Sequence, residues 1–321
     1  MIVLVTGASG FLGRAVAAEL VAAGHEVRTL QRRPSGIEGV TDMLGSITDL
    51  EHVATAMEGV EGVIHLAAKV SLAGDPRAFQ TVNVEGTRLV LSAAETAGVS
   101  RFVHVSSPSV AHSGSALAGV RAEPASPEQA RSEYARTKAQ AELFALACDS
   151  ERMRVLAIRP HLVWGPGDTQ LVGRIVDRAR RGRLPLLNGG TALIDTTYID
   201  NAASGIVAAL NRADVAHGKA YVLTNGEPRP VGDMLAGICI ASGVQPPRWS
   251  IPAAIGRTAG SLVERVWAVR PGVDEPPMTR FLAEQLSTAH WFDQREIREA
   301  LNWSPAVSID EGLRRLARHQ Q

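Results

Sequence analysis

Tyr134 and Lys138 are the two side chains of this sequence whose types and spacing suit a proton-transfer reaction. They are four residues apart within residues 131–148, where the spacing of apolar residues predicts a helix, so both fall on one helix face. A phenol with a pKa of about 10 is a poor proton donor at neutral pH, and a neighbouring ammonium lowers that pKa because it favours the phenolate. The pair therefore suits proton transfer to or from a carbonyl oxygen. The same spacing also occurs on solvated helices that have no catalytic role.

A serine-rich stretch at residues 106–109, SSPS, follows a predicted strand at residues 101–105. Ligands of open α/β sheets bind beyond the carboxyl ends of the strands, so we expect these hydroxyls to lie in the ligand crevice. A serine hydroxyl there can hold a substrate oxygen and stabilise the charge that develops on it. Lys138 can in addition reach the ribose of a nicotinamide. A reaction that moves a hydride between a nicotinamide and a carbonyl must also move a proton, which these residue types can supply.

Residues 1–13, MIVLVTGASGFLG, supply the glycine-rich turn that a dinucleotide would need. An apolar run at residues 2–5 is typical of a buried parallel strand, and Gly7, Gly10 and Gly13 follow it before a helical pattern begins. Glycine permits a positive φ in the turn, lets the backbone approach a pyrophosphate, and allows close packing of helix on strand. The positive end of the helix dipole then faces the phosphates. A glycine turn without any ligand is the alternative, but the position between a strand and a helix favours dinucleotide binding.

The second predicted strand, residues 25–30, ends in residues that indicate a preference between dinucleotides. An acidic residue at this position would bind the ribose 2′-hydroxyl of NAD. The chain instead continues with Gln31, Arg32 and Arg33, so no carboxylate follows the strand, and two guanidinium groups can hold a 2′-phosphate. We therefore predict a preference for NADP(H), with NAD(H) as the alternative cofactor. A solvated basic turn is the alternative.

Strand and helix patterns alternate along the chain and define the elements that must position these residues. Strands are predicted at residues 2–5, 25–30, 62–66, 101–105, 154–159 and 219–224, and helices at 15–23, 49–57, 79–97, 131–148, 171–181, 198–211, 231–242 and 251–269. The alternation predicts an α/β fold, a doubly wound parallel sheet of the Rossmann type with a smaller C-terminal substrate lobe. We place the dinucleotide-binding domain at residues 1–160 and the substrate lobe at 161–321, interleaved with late Rossmann elements at about 195–225.

The composition argues against several classes of function. The chain has 321 residues, of which 45% are hydrophobic, and its 33 basic and 33 acidic residues leave no net charge that would steer it to nucleic acid. Cys148 and Cys239 have no Cys or His at metal-ligand spacing, which predicts buried free thiols, no metal and a reducing cytoplasm. The sequence shows no basic leader and no run of about 18 apolar residues, so neither export nor a transmembrane span is predicted.

Residues 251–269 carry an apolar stripe at helical spacing, which admits three interpretations. The segment can be a plain packing helix, a lid over a long apolar substrate, or a helix that lies on a membrane surface. Residues 276–278 then lead to His290, Trp291 and Phe292, whose rings can wall a lipid-like pocket or pack in the core.

Three motifs together resemble the extended short-chain dehydrogenase/reductase superfamily: TGASGFLG at residues 6–13, the strand-end serines 106–107, and YARTK at residues 134–138. Within it the chain resembles the 3β-hydroxysteroid dehydrogenase-like branch, through the stretches SSPSVAH, RPHLVWGPGD, TTYIDNAA, NGEPRP and TRFLAEQLSTAHWFD. It is most similar there to the bacterial 2-alkyl-3-oxoalkanoate reductases, which reduce a β-keto acid during long-chain olefin biosynthesis. Many relatives bind adenine through an aspartate after the third strand, where this chain has Ser46.

The resemblance implies roles for individual residues. It assigns Ser107 rather than Ser106 as the catalytic serine and Tyr134 as the acid/base. It also assigns Lys138 as the lysine that tunes Tyr134, and Asn83 as a supporting asparagine. The residues expected to bind the cofactor are Gly7, Ser9, Gly10, Phe11, Leu12, Gly13, Gln31, Arg32, Arg33, Ala67, Ala68, Lys69, Tyr134, Lys138 and Pro160. Those expected to bind the substrate are Ser109, His161, Trp164 and Arg280, with His161, Arg280 or His290 as the cation for a carboxylate.

These expectations together predict an NADP(H)-dependent oxidoreductase that reduces a 2-alkyl-3-oxoalkanoate, with Tyr134 as the proton donor. A 3β-hydroxysteroid or sterol dehydrogenase would share the same catalytic residues. A nucleotide-sugar epimerase holds NAD tightly, which suits Arg32 and Arg33 poorly. A non-catalytic NADP(H)-binding sensor would have no need of Ser107, Tyr134 and Lys138 together.

The expected partners follow from the same resemblance. They are a small lipid-like substrate in the cytoplasm and a second copy of the chain, and no nucleic acid. Many members of the superfamily form homodimers through a four-helix contact, which the helices at 79–97 and 131–148 can supply. Peripheral contact with a membrane and assembly with other enzymes of the olefin pathway are also compatible with the sequence.

Overall fold

The strands of the protein form one large parallel sheet and several smaller sheets. The computed structural model describes residues 1–71, 74–112, 114–268 and 280–319. In chain order the strands are β1 (Ile2–Thr6), β2 (Glu26–Gln31), β3 (Val40–Leu44), β4 (Gly62–His65), β5 (Arg101–Val105), β6 (Leu117–Val120), β7 (Arg154–Pro160), β8 (Val163–Trp164), β9 (Leu186–Leu187), β10 (Leu193–Ile194), β11 (Thr197–Tyr198), β12 (Ala220–Leu223), β13 (Arg229–Pro230), β14 (Ser250–Ile251) and β15 (His290–Phe292). The helices are α1 (Phe11–Ala22), α2 (Leu50–Met57), α3 (Pro76–Phe79), α4 (Gly86–Ala97), α5 (Glu133–Ala147), α6 (Leu171–Arg180), α7 (Ile199–Asn211), α8 (Ala213–Ala216), α9 (Val231–Ala241), α10 (Ala253–Ala268), α11 (Arg280–Ser287), α12 (Arg295–Leu301) and α13 (Ile309–His319).

The large sheet has seven strands in the order β3-β2-β1-β4-β5-β7-β12, and all neighbouring strands are parallel. The chain winds outward from β1 in one direction through β2 and β3. It then returns and winds in the other direction through β4, β5, β7 and β12. This arrangement confirms the predicted doubly wound fold. Ligands bind such a sheet where the winding reverses, beyond the carboxyl ends of β1 and β4.

Helices cover both faces of the large sheet, which explains why its strands are apolar along most of their length. On one face α1 and α7 contribute Leu20 and Ile206 to the core, and on the other α2 and α4 contribute Val53 and Val90. All four side chains are fully buried. Each buried aliphatic side chain contributes roughly 1.5–3 kcal/mol through burial. The strand ends that carry the candidate site therefore rest on a rigid base.

The predicted helix at residues 79–97 is divided in the structure. The helix α3 ends at Phe79, a π-helical segment spans Gln80–Glu85, and α4 begins at Gly86. Such π-helical turns are rare and are frequent at functional sites. This one carries Asn83, so the irregular turn coincides with a residue that the sequence had singled out.

The helix that carries Tyr134 and Lys138 is present as predicted, with ends that differ by one or two residues. It begins after Ser132, whose hydroxyl oxygen accepts a hydrogen bond from the Ala135 N–H and so caps the first turn. Tyr134 lies in that first turn, and Lys138 lies one turn further along.

A second sheet has four strands in the order β13-β10-β15-β6. It joins β6, which precedes residue 160, to three strands that follow residue 160. The division of the chain into domains at residue 160 stays a prediction. Beyond this sheet, α6 packs on α9 and α10 packs on α11.

The remaining expectations concern the cysteines, the segments after residue 250 and membrane-spanning helices. Neither cysteine forms a disulfide; Cys239 is buried and Cys148 is only partly buried. The apolar helix predicted at 251–269 is α10, which packs on α11 as the packing interpretation expects, although its Ile255 is 58% exposed. Residues 276–278 lie outside the described residues. In the part of the chain that the structure describes, no helix combines the length and apolar character needed to cross a bilayer.

Candidate active site

A cavity of about 350 Å³ opens at the carboxyl ends of β5 and β7. Ser107 and Ser109, which follow β5, line it together with Pro160 and His161 at the end of β7 and with Tyr134 of α5. Much of the remaining wall is apolar and includes Leu117, Ile175, Leu184, Met234, Ile238 and Phe292. Pockets of this size, with a few polar groups in an apolar wall, are typical sites for small molecules.

Tyr134 and Ser107 are hydrogen-bonded to each other in this cavity. The Oγ atom of Ser107 accepts two hydrogen bonds from Ser109, one from its backbone N–H at 3.3 Å and one from its hydroxyl at 3.0 Å. Because both lone pairs of Ser107 are engaged, its hydroxyl hydrogen is left to donate to the oxygen of Tyr134. The hydroxyl of Tyr134 can in turn donate to a ligand. Burial raises the pKa of Tyr134, and the hydrogen bond from Ser107 lowers it by less.

Lys138 is almost fully buried, one turn after Tyr134 on α5. Its Nζ donates to the carbonyl oxygen of Val105 at 2.7 Å and lies 3.4 Å from Nε2 of His104. Burial lowers the pKa of Lys138 to about 8, against the opposing effect of Glu142. Burial raises the pKa of Tyr134 in this structure, and the lowering expected from Lys138 stays a prediction.

Asn83 joins three parts of the site. Its Oδ1 accepts a hydrogen bond from the Lys69 N–H at 2.7 Å, and its Nδ2 donates to the Lys69 carbonyl oxygen at 3.2 Å. The same Nδ2 atom donates to Oγ1 of Thr137 at 3.0 Å. Thr137 lies on α5 between Tyr134 and Lys138. Asn83 therefore holds the loop after β4 against the helix that carries the candidate catalytic pair.

A buried chain of hydrogen bonds continues from Asn83 toward the glycine turn. The Thr87 hydroxyl donates to the Asn83 carbonyl oxygen at 2.7 Å, so it accepts from Nε2 of His65 at 3.0 Å. Nδ1 of His65 then accepts from the Thr6 hydroxyl at 2.8 Å, and Thr6 accepts from the Ala67 N–H at 3.1 Å. This order of donors fixes His65 as a neutral imidazole. Burial lowers the pKa of His65 to about 3, which agrees with that assignment.

The turn between β1 and α1 has the shape that a pyrophosphate requires. Gly7 has a φ of +78°, and a Cβ there would lie 2.9 Å from Cα of Ala67. A Cβ on Gly13 would lie 2.3 Å from the Gly7 carbonyl oxygen. Gly10 has no side chain to cap α1, so the N–H groups of the first helical turn stay available at the helix end. Together, the close approach and the uncapped helix end fit the phosphates of a dinucleotide.

The other residues expected at the cofactor have different environments. Ser9 is exposed in the turn, whereas Phe11 and Leu12 begin α1 and are half-buried against the core. Ala68 is half-buried directly after Ala67, beside the turn. The ammonium of Lys69 lies 5.3 Å from the centre of the Phe79 ring.

Arg32 and Arg33 follow β2 and are both exposed. Their side chains make no hydrogen bond or ion pair with any residue that the structure describes. Gln31, in contrast, is buried, and its side-chain amide nitrogen donates to Asp42 at 3.0 Å. The two guanidinium groups are thus placed where an anionic group can reach them.

Asp42 of β3 is a carboxylate beside this strand end that the sequence reasoning missed. It accepts hydrogen bonds from the Thr29 hydroxyl at 2.5 Å, from Gln31, and from the Ser35 N–H at 2.8 Å. Burial acts to raise the pKa of Asp42, but the hydrogen bonds together outweigh it and lower that pKa. The parallel register, which sets Thr29 opposite Asp42, is the signal that would have found it.

His161 and His290, the two histidines expected to bind a carboxylate, each donate a ring hydrogen to a backbone carbonyl oxygen instead. Nδ1 of His161 donates to the Asp195 carbonyl oxygen, and Nδ1 of His290 donates to the Thr288 carbonyl oxygen at 2.9 Å. Each ring is left with an acceptor nitrogen, Nε2. Burial lowers the pKa of His161 to about 4 and that of His290 to about 3. Both rings line the cavity uncharged at neutral pH, so the expectation that they supply a cation is not supported.

Two arginines of α6, Arg174 and Arg178, line the cavity instead. Sequence reasoning predicted this helix but had no signal for which of its side chains turn inward. The side chain of Arg280 lies outside the described residues. Trp164, expected to bind substrate, also lines the cavity and is fully buried, with its Nε1 donating to Oγ1 of Thr196 at 2.9 Å.

A buried ion pair ties α5 to β7 behind the site. The Arg159 Nε donates to Oε2 of Glu142 at 2.8 Å, and both side chains are at most 2% exposed. A guanidinium and a carboxylate buried in this way stabilise each other, because either charge alone would be costly to remove from water. Glu142 is one turn beyond Lys138, so its charge also acts on that residue.

Comparison with known proteins places this geometry in a family. The sequence pattern of the NAD dependent epimerase/dehydratase family matches residues 3–224. The chain is 40% identical to the 2-alkyl-3-oxoalkanoate reductase of Stenotrophomonas maltophilia, with 98% of each chain covered. It is 31% identical to the 3-beta-hydroxysteroid dehydrogenase of Mycolicibacterium neoaurum, covering 97% of this chain and 89% of that protein. Among solved structures, MoeE5 in complex with UDP-glucose and NAD has the same fold, with a TM-score of 0.76 at 23% identity over 99% of this chain and 98% of that chain.

The family match, the two relatives and the glycine turn at the carboxyl ends of a doubly wound sheet agree with one another. Together they establish that the chain belongs to the NAD dependent epimerase/dehydratase family, the extended short-chain dehydrogenase/reductases, and is a nicotinamide-dependent oxidoreductase.

Proposed function

We propose that the protein is an NADP(H)-dependent reductase that converts a 2-alkyl-3-oxoalkanoate to the 2-alkyl-3-hydroxyalkanoate. The observation that carries this proposal is the hydrogen-bonded pair of Ser107 and Tyr134, which faces an apolar cavity of about 350 Å³. The cavity wall suits alkyl chains, and the reductase relative at 40% identity acts on a compound of this class by its name.

In this proposal Tyr134 gives its hydroxyl proton to the ketone oxygen of the substrate. When bound, the nicotinamide supplies the hydride that adds to the ketone carbon. Ser107 donates a hydrogen bond to the oxygen of Tyr134 and so stabilises the negative charge that the phenol acquires as its proton leaves. Lys138, whose ammonium has three hydrogens, directs one of them at the ribose of the cofactor.

A preference for NADP(H) is supported by the surroundings of Arg32 and Arg33. Both side chains are exposed and unpaired within the described ranges, so either can contact a 2′-phosphate without losing a partner. The nearby carboxylate of Asp42 is already bound by three donors of the protein. NAD(H) is the alternative cofactor, and the ratio of the two dissociation constants decides between them.

The substrate is tested in the direction of oxidation, because a β-keto acid readily loses carbon dioxide. Purified protein is mixed with NADP⁺ and a synthetic 2-alkyl-3-hydroxyalkanoate, and formation of NADPH is followed by absorbance. We expect turnover with the acid and none in a Tyr134→Phe variant that still binds NADPH. Absence of turnover with either nicotinamide cofactor would remove this substrate assignment.

A 3β-hydroxysteroid dehydrogenase is a second candidate, favoured by the uncharged state of His161 and His290 in the cavity. A neutral sterol needs no cation, whereas an alkanoate does. The same assay with a 3β-hydroxysteroid in place of the acid separates the two. A sensor function would instead predict that the Tyr134→Phe variant keeps the biological activity of the wild type.

We also propose that the protein is a homodimer through α4 and α5. On these helices Leu143 is 45% exposed, and the guanidinium of Arg88 lies 3.8 Å from the centre of the Phe144 ring. Light scattering should give twice the mass of the chain, and a Leu143→Glu variant should give the monomer mass. A cytoplasmic location and assembly with other olefin-forming enzymes are further proposals, which cell fractionation and co-purification test.

A further inference from the structure

His104 is a buried histidine beside the ammonium of Lys138 that has no role in the chemistry described above. It lies on β5 directly before Val105, whose carbonyl oxygen accepts a hydrogen bond from Nζ of Lys138 at 2.7 Å. Nε2 of His104 is 3.4 Å from the same Nζ. The histidine side chain has no exposed surface. Two successive residues of one strand therefore present acceptors to a single ammonium.

The chemistry of the pair fixes the state of His104. An ammonium only donates hydrogen bonds, so Nε2 must carry a lone pair and the ring hydrogen must be on Nδ1. Nδ1 is buried and has no hydrogen-bond partner among the residues that the structure describes. The imidazole is thus held in a state that leaves one of its own donors unsatisfied, while it offers an acceptor to Lys138.

His65 cannot take over this function. In the parallel register of β4 and β5 it lies opposite His104, with 5.7 Å between the ring centres. Both of its nitrogens are already engaged, by Thr6 and Thr87. His104 is therefore the histidine of this pair that is free to serve the lysine.

We propose that His104 is a positioning residue for Lys138: its Nε2 accepts one ammonium hydrogen, Val105 accepts the second, and the third is thereby directed toward the ligand. The hydrogen bond also favours the charged form of the lysine. The inference rests on the proposed role of Lys138 in the reaction, but its test needs neither substrate nor turnover.

Other charged and titratable groups also surround Lys138. Glu142, on the same helix, favours the ammonium and is itself paired with Arg159 of β7. His65 of β4 is neutral, and Tyr134 is one turn away on α5. Burial lowers the pKa of Lys138 to about 8, so loss of one acceptor changes the charge of this side chain at physiological pH.

The chain contains three lysines, Lys69, Lys138 and Lys219, so isotope-labelled lysine gives an NMR spectrum simple enough to titrate each residue. We expect the acid dissociation constant of Lys138 to rise about tenfold or more in a His104→Leu variant, since a hydrogen bond to a charged group is lost. A His104→Gln variant keeps an acceptor oxygen and should remain close to the wild type. Equal titration of Lys138 in wild type and His104→Leu would overturn the proposal.

A second measurement uses the wild-type protein, so it does not depend on whether a variant folds. The ¹⁵N spectrum of labelled histidine, of which the chain has nine, should show His104 with an unprotonated Nε2 at pH 7. A protonated Nε2 would exclude the hydrogen bond from Lys138 and reject the inference. If the wild type fails to oxidise any 3-hydroxy acid while both NMR results are as expected, the substrate proposal fails and the role of His104 stands.

A kinetic measurement separates positioning from a purely structural effect. In the oxidation direction Tyr134 must lose its proton, and a charged Lys138 favours that loss. The His104→Leu variant should therefore need a higher pH for half-maximal kcat, and His104→Gln should restore the wild-type profile. A variant that lowers kcat equally at every pH would contradict this role.

Discussion

Asn83 and Thr137 are joined by a hydrogen bond of 3.0 Å between Nδ2 and Oγ1, which connects a π-helical turn to the helix that carries Tyr134 and Lys138. The side chain of Asn83 also accepts a hydrogen bond from the Lys69 N–H and donates one to the Lys69 carbonyl oxygen. The asparagine thus sets the distance between the cofactor side of the site, after β4, and the proton donor on α5. A displacement of about 1 Å in such an arrangement can reduce a rate about 10²-fold.

Replacement of Asn83 tests this link. An Asn83→Leu variant loses the hydrogen bonds to Lys69 and Thr137 together, and we expect kcat to fall by about 10²-fold and stability by about 1–3 kcal/mol. Steady-state kinetics and urea unfolding measure the two effects. A Thr137→Val variant removes the acceptor for Asn83 and the donor to the Glu133 carbonyl oxygen but leaves the bonds of Asn83 to Lys69, so it should have a smaller effect on kcat. If kcat of Asn83→Leu equals that of the wild type, the asparagine does not position the site.

The two serines beside Tyr134 should differ in their effects. Ser107→Ala removes the donor that lowers the pKa of Tyr134, so we expect kcat to fall by about 10²-fold, in the range found for other groups that stabilise developing charge. Ser109→Ala leaves Ser107 in place but removes its hydroxyl donor at 3.0 Å, and we expect a loss of about tenfold. Single-turnover rates of oxidation with saturating NADP⁺ measure both. Equal losses in the two variants would mean that Ser109 acts on the substrate directly rather than through Ser107.

The features that sequence reasoning found are those encoded locally. The apolar runs of β1 and β5, the helical spacing of α5 and the glycines of the first turn each depend on residues near one another in the chain. The doubly wound order of the strands followed from the alternation of strands and helices.

The features that sequence reasoning missed depend on how strands pair or on which side chains point into the protein. Asp42 reaches Gln31 only because β3 pairs with β2, and His104 reaches Lys138 only because α5 places that lysine beside the end of β5. The charge state of His161 depends on burial and on the Asp195 carbonyl, neither of which a sequence pattern contains.

The stability of the folded protein should decrease at acidic pH because three histidines are buried. Burial holds the folded-state pKa of His65 and His290 at about 3 and that of His161 at about 4, against an ordinary value of 6.5. Between pH 6.5 and 4 the unfolded chain binds more protons than the folded protein, so the stability present above pH 6.5 is lost as the pH falls. Each histidine contributes about 1.4 kcal/mol per pH unit in this range.

Urea unfolding as a function of pH checks this dependence. A His290→Gln variant, which keeps a donor for the Thr288 carbonyl but does not titrate, should lose stability less steeply below pH 6.5, by about 1.4 kcal/mol per pH unit. The same slope in His290→Gln and in the wild type would show that His290 does not remain neutral in the folded protein.

Cofactor preference should depend on the loop after β2. An Arg32→Ala/Arg33→Ala double variant loses two guanidinium groups that can reach a 2′-phosphate, so we expect the Kd of NADPH to rise about 10–100-fold and that of NADH to change little. Fluorescence titration of the reduced cofactors measures both constants. An Asp42→Asn variant weakens the hydrogen bonds from Thr29 and Ser35 that hold this loop, and it should reduce the preference more modestly. If the double variant binds NADPH as tightly as the wild type, the two arginines do not contact the cofactor.

Recognition of the substrate carboxylate should depend on α6 rather than on the histidines of the cavity. Arg174 and Arg178 line the cavity four residues apart on one helix face, and a guanidinium binds a carboxylate through charge-assisted hydrogen bonds of about 1.5–3 kcal/mol. Replacement of either arginine by Met keeps the apolar length of the side chain and removes the charge. We therefore expect KM for a 2-alkyl-3-hydroxyalkanoate to rise about tenfold or more, while KM for its methyl ester stays the same. His161→Gln is the control, since the ring is uncharged at neutral pH and its loss should not distinguish acid from ester. A contradicting result would be that His161→Gln raises KM for the acid alone and neither arginine variant does. The carboxylate would then lie beside His161. The ring of His161 would in that case have to gain a proton when substrate binds.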